Sequence, residues 1–136
     1  MIENKNKIKD IYNCNYIKAG KETYPLQKWY NQLIDKKVCE VNLKDTLKMI
    51  RQNEFIDLAI LKAIYYLKEN PFIGEIYEGE LIESLLKVNI NKIKPYSTEL
   101  KGILSNALEL NKNYEWLIEE ERLEFNNTIN LIKNLL

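Results

Sequence analysis

The stretch Phe55-Ile56-Asp57-Leu58-Ala59-Ile60-Leu61-Lys62-Ala63-Ile64-Tyr65-Tyr66-Leu67 decides the fold class. Only Asp57 and Lys62 interrupt an apolar run that is too long for an ordinary strand and holds neither Gly nor Pro. A helix that is apolar nearly all round belongs at the centre of a domain, with other elements packed on several sides of it. Its end is marked by Asn70-Pro71, because the proline ring pushes the residue before it out of the right-handed helical region.

Amphipathic helices flank this spine. Upstream, Asn42 with Asp45 three residues on reads as a capped start ahead of Leu43, Leu47 and Ile50. Before that, Leu26, Trp29, Tyr30, Leu33 and Ile34 recur at helical spacing behind Pro25, with Thr23 or Tyr24 as the cap. A weaker stripe of Ile8, Ile11, Tyr12 and Tyr16 runs toward a stop at Gly20. Downstream, Gly79 leads into Leu81, Ile82, Leu85 and Leu86, with Glu83 and Lys87 placed as an i, i+4 pair. Pro95 closes a linker with its own small helical turn, and Ser97 caps a stripe of Leu100, Ile103, Leu104, Ala107 and Leu108. A last helix is predicted from about Tyr114 to the end, with Ile118, Phe125, Ile129, Ile132 and Leu136 inward and Glu119, Glu120, Glu121 and Glu124 outward. No segment alternates apolar and polar residues as a strand would. The expectation is an all-α fold: a compact bundle or short stack of about six helices around a central apolar helix, one domain over residues 1–136. Four Gly and three Pro are too few for the turns of an all-β domain, while 46% apolar residues can fill a core.

Composition removes several functions. Twenty basic residues balance twenty acidic ones, so the basic surplus of a dedicated nucleic-acid binder is missing. The balance is uneven along the chain, with net +4 over residues 1–50 and net −4 over residues 51–136. There is no His, which excludes Ser-His and Cys-His nucleophile pairs, imidazole-bound zinc and the mixed carboxylate–imidazole di-iron site. Neither a Gly-rich phosphate loop nor a Walker pattern occurs. Cys14 and Cys39 form no C-x-x-C and read as free thiols in a reducing compartment. With no signal-peptide core at the N-terminus and no apolar run of bilayer length, the chain is expected in the cytoplasm, away from membranes. No catalytic residue, metal ligand or cofactor is expected. The sequence leaves the oligomeric state open.

The densest chemical signal lies between Glu69 and Glu83, where five carboxylates accompany Tyr77. Glu75, Tyr77, Glu78, Glu80 and Glu83 are the candidate binding residues: an acidic patch with an aromatic anchor suits a basic partner, charge setting on-rate and selectivity and the aromatic ring the desolvated contact. Glu115 with Glu119–Glu121 and Glu124 can extend the patch. Trp29 and Trp116 fall in helical stripes and are read as core, and Arg51 as a structural partner for a carboxylate or helix terminus.

Leu43-Lys44-Asp45-Thr46-Leu47, Met49-Ile50-Arg51-Gln52, Asp57-Leu58-Ala59-Ile60, Leu67-Lys68-Glu69-Asn70-Pro71 and Tyr77-Glu78-Gly79-Glu80-Leu81-Ile82 follow one another with a characteristic order and spacing. From about Pro25 to Val88 the chain resembles immunity proteins of bacterial contact-dependent growth inhibition (CDI) systems. The resemblance implies a non-enzymatic, cytoplasmic protein that binds and neutralises the C-terminal toxin domain of a cognate effector, a nuclease in many such systems. Two other readings fit the composition: a helical adaptor or regulator, and a helical enzyme working through carboxylates and a divalent metal.

Overall fold

The computed structural model describes residues 2–18 and 24–136. All regular structure among them is helical, apart from an isolated antiparallel bridge between Lys7 and Lys37. The all-α expectation holds. The backbone forms two compact units, Met1–Asp45 and Thr46–Leu136.

In the first unit α1 (Ile8–Ile11) packs against α2 (Pro25–Ile34), and a short 3-10 turn follows at Val38–Glu40. Ile8, Leu33, Ile34, Val38 and Val41 are buried. Pro25 occupies the first turn of α2, as its missing N–H allows, and Tyr24 precedes it in extended conformation. The proposed cap Thr23 and stop Gly20 lie outside the described residues. On the surface, Tyr16 donates its hydroxyl proton to Asp35 at 2.6 Å, and Lys9 Nζ lies 3.0 Å from the same carboxylate. The Tyr16 hydrogen bond and then the ammonium hold Asp35 below the usual aspartate range.

Helix α3 (Leu43–Gln52) begins in the first unit and continues in the second. Its start is the predicted capping box: Asp45 N–H donates to Asn42 Oδ1 at 2.8 Å, and Asn42 N–H to Asp45 Oδ2 at 3.3 Å. Asp45 is buried and also accepts from Trp29 Nε1 at 3.2 Å and Lys36 Nζ at 2.5 Å, so Trp29 ties the end of this unit together. Arg51 is exposed in the last turn of α3, at the helix terminus as predicted, and no ion pair to it forms among the described residues.

In the second unit α4 (Ile56–Glu69) packs against α5 (Glu80–Ser84), α6 (Ile90–Ile93) and α7 (Ser97–Asn111), and α7 pairs with α8 (Glu119–Leu135). Helix α4 is thus the apolar centre of its unit, with Leu58, Ala59, Ile60, Ala63, Ile64 and Leu67 buried. It is not apolar all round in effect, because Asp57, Leu61, Tyr65 and Lys68 share an exposed face. Phe55 takes φ 45° and immediately precedes α4 instead of lying within it. At the other end Asn70 leaves the helical region, and its Oδ1 accepts the Phe72 N–H at 3.0 Å. Two further starts differ from the sequence reading. Lys94–Tyr96 forms a 3-10 turn around Pro95 that runs straight into α7, leaving Ser97 inside the helix with no capping bond. Helix α8 begins at Glu119, and residues 114–118 are not helical.

Candidate functional site

The site grows from the loop between α4 and α5. Gly79 N–H donates to Phe72 O at 2.8 Å and Leu81 N–H to Ile73 O at 3.2 Å, which closes residues 72–81 on themselves. The Glu80 carboxylate fills this closed loop: Oε1 accepts the N–H of Glu75 at 2.8 Å and of Ile76 at 3.0 Å, and the residue is only 9% exposed. Gly74 is required by close approach, since a Cβ there would meet Tyr77 O at 1.8 Å. Gly79 is required by conformation, at φ 85°, and its bare Cα lets the Phe125 ring lie where a Cβ would sit 3.0 Å from Cδ1.

A second wall comes from the α7–α8 connection. Arg122, on the first turn of α8, reaches back to it: Nη2 donates to Tyr114 O at 2.6 Å, Nη1 donates to Asn111 O, and Nε donates to Glu119 at 2.6 Å. The guanidinium bond holds the Glu119 carboxyl below the usual glutamate range. Buried Asn111 answers by donating to Arg122 O at 3.0 Å and accepting Trp116 Nε1 at 2.6 Å. This reciprocal clamp uses the carbonyls that helical continuation would have used, and accounts for the late start of α8.

Four rings join the walls. Phe72 stacks on Tyr114 at 3.7 Å between centroids and on Phe125 at 4.9 Å, with Trp116 edge-on at 5.8 Å. Offset-stacked and edge-to-face rings of this kind add to plain burial and fix side-chain positions. Above them opens a groove of about 730 Å³. Its floor is Trp116, Phe125 and the edge of Gly79; its rim is Tyr77, Glu78 and Glu83 from one side and Glu115, Glu121 and Glu124 from the other. Leu117, also at the rim, is 95% exposed.

The electrostatics are one-sided. Tyr77 donates to Glu83 at 3.1 Å and Tyr114 to Glu78 at 2.6 Å. Burial, reinforced by the bonded carboxylates, pushes both phenols up to about 12. Among the described residues none of the five rim carboxylates forms an ion pair. Glu83 does not use Lys87, because the chain tightens into a 3-10 turn at Leu85–Lys87 and the α-helical i, i+4 register is lost.

Of the residues singled out from sequence, Tyr77, Glu78 and Glu83 line the groove; Glu75 is exposed beside it, and Glu80 points inward to hold the loop. The structure also brings in Glu115, Glu121 and Glu124 from the second acidic run, while Glu119 is engaged by Arg122 and Glu120 stands outside. Trp116, half-buried and read as core, forms part of the floor. Phe125 is buried on the inner side of α8, as its spacing predicts, whereas nothing in the sequence marks Tyr114 or Leu117 as part of a site. No cluster of three or more Cys, Asp or Glu residues among the described residues is placed to hold a metal ion.

Fold and groove together define an all-α protein that carries an acid-rimmed groove over an aromatic floor. The chain belongs to the CDI immunity proteins, whose family profile matches residues 10–103. A search of curated proteins finds no match. Family membership supplies the coarse function, immunity toward a cognate CDI toxin. No helix among the described residues is long and apolar enough to cross a membrane.

Proposed function

We propose that this protein neutralises the C-terminal toxin domain of a CDI effector in the cytoplasm by stoichiometric association, without catalysis, and that the groove flanked by Tyr77, Glu78 and Glu83 is the surface that meets it. Glu75 borders that surface, and Glu80 serves it by holding the loop. The observation that carries the reading is the set of five rim carboxylates without an ion pair over an aromatic floor. Like charges gathered around low-dielectric walls focus a negative potential and cost folding stability, a cost that a basic partner relieves on binding. A nuclease is the toxin class this surface fits, because a cleft that binds nucleic acid is itself basic. Neutralising a lethal enzyme calls for tight association, and nanomolar affinity corresponds to about 12 kcal/mol. The ring cluster and the Arg122 clamp support such affinity, because a surface already ordered loses little entropy on binding.

Co-expression with the toxin encoded beside its gene tests the proposal. Growth should be restored and a one-to-one complex should co-purify. The double reversal Glu83→Lys with Glu124→Lys should weaken the complex by about a hundredfold or more while the protein stays folded. A complex of wild-type affinity with that variant places the interface elsewhere, and the absence of any complex with the unaltered protein overturns the function.

A further inference from the structure

We propose that the groove is the seat of one arginine side chain projecting from the toxin, its guanidinium lying on the Trp116–Phe125 floor between the Glu83 and the Glu121–Glu124 sides of the rim. The inference rests on the toxin-binding reading above and names the chemistry of what enters.

Four kinds of occupant compete for a groove of this size. A nucleic acid strand is repelled, because every ionised group on the rim is a carboxylate. A bare divalent cation lacks its ligands, since no three acidic side chains among the described residues converge to hold one. An apolar side chain satisfies the floor and leaves the carboxylates desolvated without a partner. A cationic side chain with a flat face satisfies both surfaces at once. Between the two basic residues the floor decides: a guanidinium stacks on aromatic faces, is more weakly hydrated than an ammonium and presents a fork of donors that matches carboxylates. A lysine ammonium is a strongly hydrated point charge that one carboxylate in water serves nearly as well.

The volume supports a side chain carried on a partner. About 730 Å³ lies within the range of small-ligand sites and exceeds what one guanidinium occupies. Leu117 and Tyr77, which line the same groove and are 95% and 49% exposed, can receive the apolar neighbours of the arginine. An exposed leucine beside a charged groove fits the arrangement in which a central anchor is ringed by contacts that exclude water.

The protein's two tryptophans make the test internal. Trp116 lies in the groove and Trp29 in the other unit, so their indole N–H signals serve as probe and control in one spectrum. The whole ¹⁵N-labelled protein is titrated with acetyl-Ala-Arg-Ala-amide and, separately, with acetyl-Ala-Lys-Ala-amide. The arginine peptide should shift Trp116 and the Gly79 and Leu117 amides saturably, leave Trp29 in place, and bind at least about fivefold more tightly than the lysine peptide. Binding should weaken severalfold between about 50 and 200 mM salt. The double variant Glu121→Gln with Glu124→Gln should lose affinity by about fivefold or more with an unchanged far-UV spectrum; if it does not fold, the salt series on the natural protein decides. Equal affinity for the two peptides, shifts confined to other surfaces, or salt-independent binding overturns the inference. These outcomes are separate from co-purification with the toxin: a stable complex whose groove prefers no arginine sinks this inference and leaves the immunity reading standing.

Discussion

Replacing Glu80 separates a loop-holding residue from a partner-contacting one. Its carboxylate accepts two backbone N–H groups, from Glu75 at 2.8 Å and Ile76 at 3.0 Å, and is shielded from solvent. A hydrogen bond to a charged group contributes about 1.5–3 kcal/mol, so two give an upper bound near 6. Glu75 and Ile76 are themselves exposed, and water replaces part of what is lost when the acceptor goes. Glu80→Ala should therefore destabilise the protein by about 2–3 kcal/mol. Glu80→Gln keeps an acceptor oxygen and loses the charge, which should cost about 1 kcal/mol. Urea unfolding followed by far-UV circular dichroism reads both values as shifts in midpoint at constant slope. Amide hydrogen exchange gives the local signature: Glu75 and Ile76 should exchange faster in Glu80→Ala, well before helix α4 does. Toxin affinity supplies the contrast, because Glu80→Gln should bind nearly as the natural protein does, whereas Glu83→Lys with Glu124→Lys should not. An alanine variant within about 0.5 kcal/mol of the natural protein, below the range of a charged hydrogen bond, refutes the loop-holding role. So does a folded glutamine variant that loses toxin binding, which would make Glu80 a contact.

Gly79→Ala should cost about 1–3 kcal/mol, from the left-handed backbone and the approach of the new methyl to Phe125, and its urea midpoint checks this. Arg122→Ala should cost about 2 kcal/mol and, more tellingly, raise hydrogen exchange across residues 112–118, the connection it holds through the Asn111 and Tyr114 carbonyls. Unchanged protection there would mean the aromatic cluster alone orders the connection. Tyr77 and Tyr114 should ionise near pH 12 in an ultraviolet difference titration. Their folded-state pKa lies above the ordinary value of 10.0, so the stability they contribute is complete below pH 10 and declines as pH rises from there toward 12. A titration in which all tyrosines ionise together near 10 contradicts the burial, and with it the neighbouring carboxylates, assigned to these two.

The readings that held were those with local causes. Asn42 and Asp45 cap α3 because both partners lie within one turn, and Asn70-Pro71 ends α4 through a clash between adjacent residues. The apolar spacing of Leu58 to Leu67 placed α4 at the centre of its unit in the same way. The readings that shifted depended on distant groups. Helical pattern extends the last helix back to Tyr114, yet the structure engages its carbonyl with Arg122 and its ring with Phe72. Glu80 carries the same charge in sequence as Glu78 and Glu83, and only the closure of the loop by Phe72 and Gly79 turns it inward.

Sequence by itself determined that the protein is all-helical, that it lacks imidazole chemistry, that its acidity lies in the second half, and that it is a CDI immunity protein. Helical periodicity, capping and composition are properties of neighbours along the chain, so they can be read in one dimension. Which carboxylates share a surface was decided only in three dimensions. Tyr114 and Glu78 stand 36 residues apart and meet because Phe72 packs on rings from a segment that follows three further α-helices. Apolar packing is non-directional and leaves no spacing rule in sequence, so the groove it assembles becomes visible only once the chain is folded.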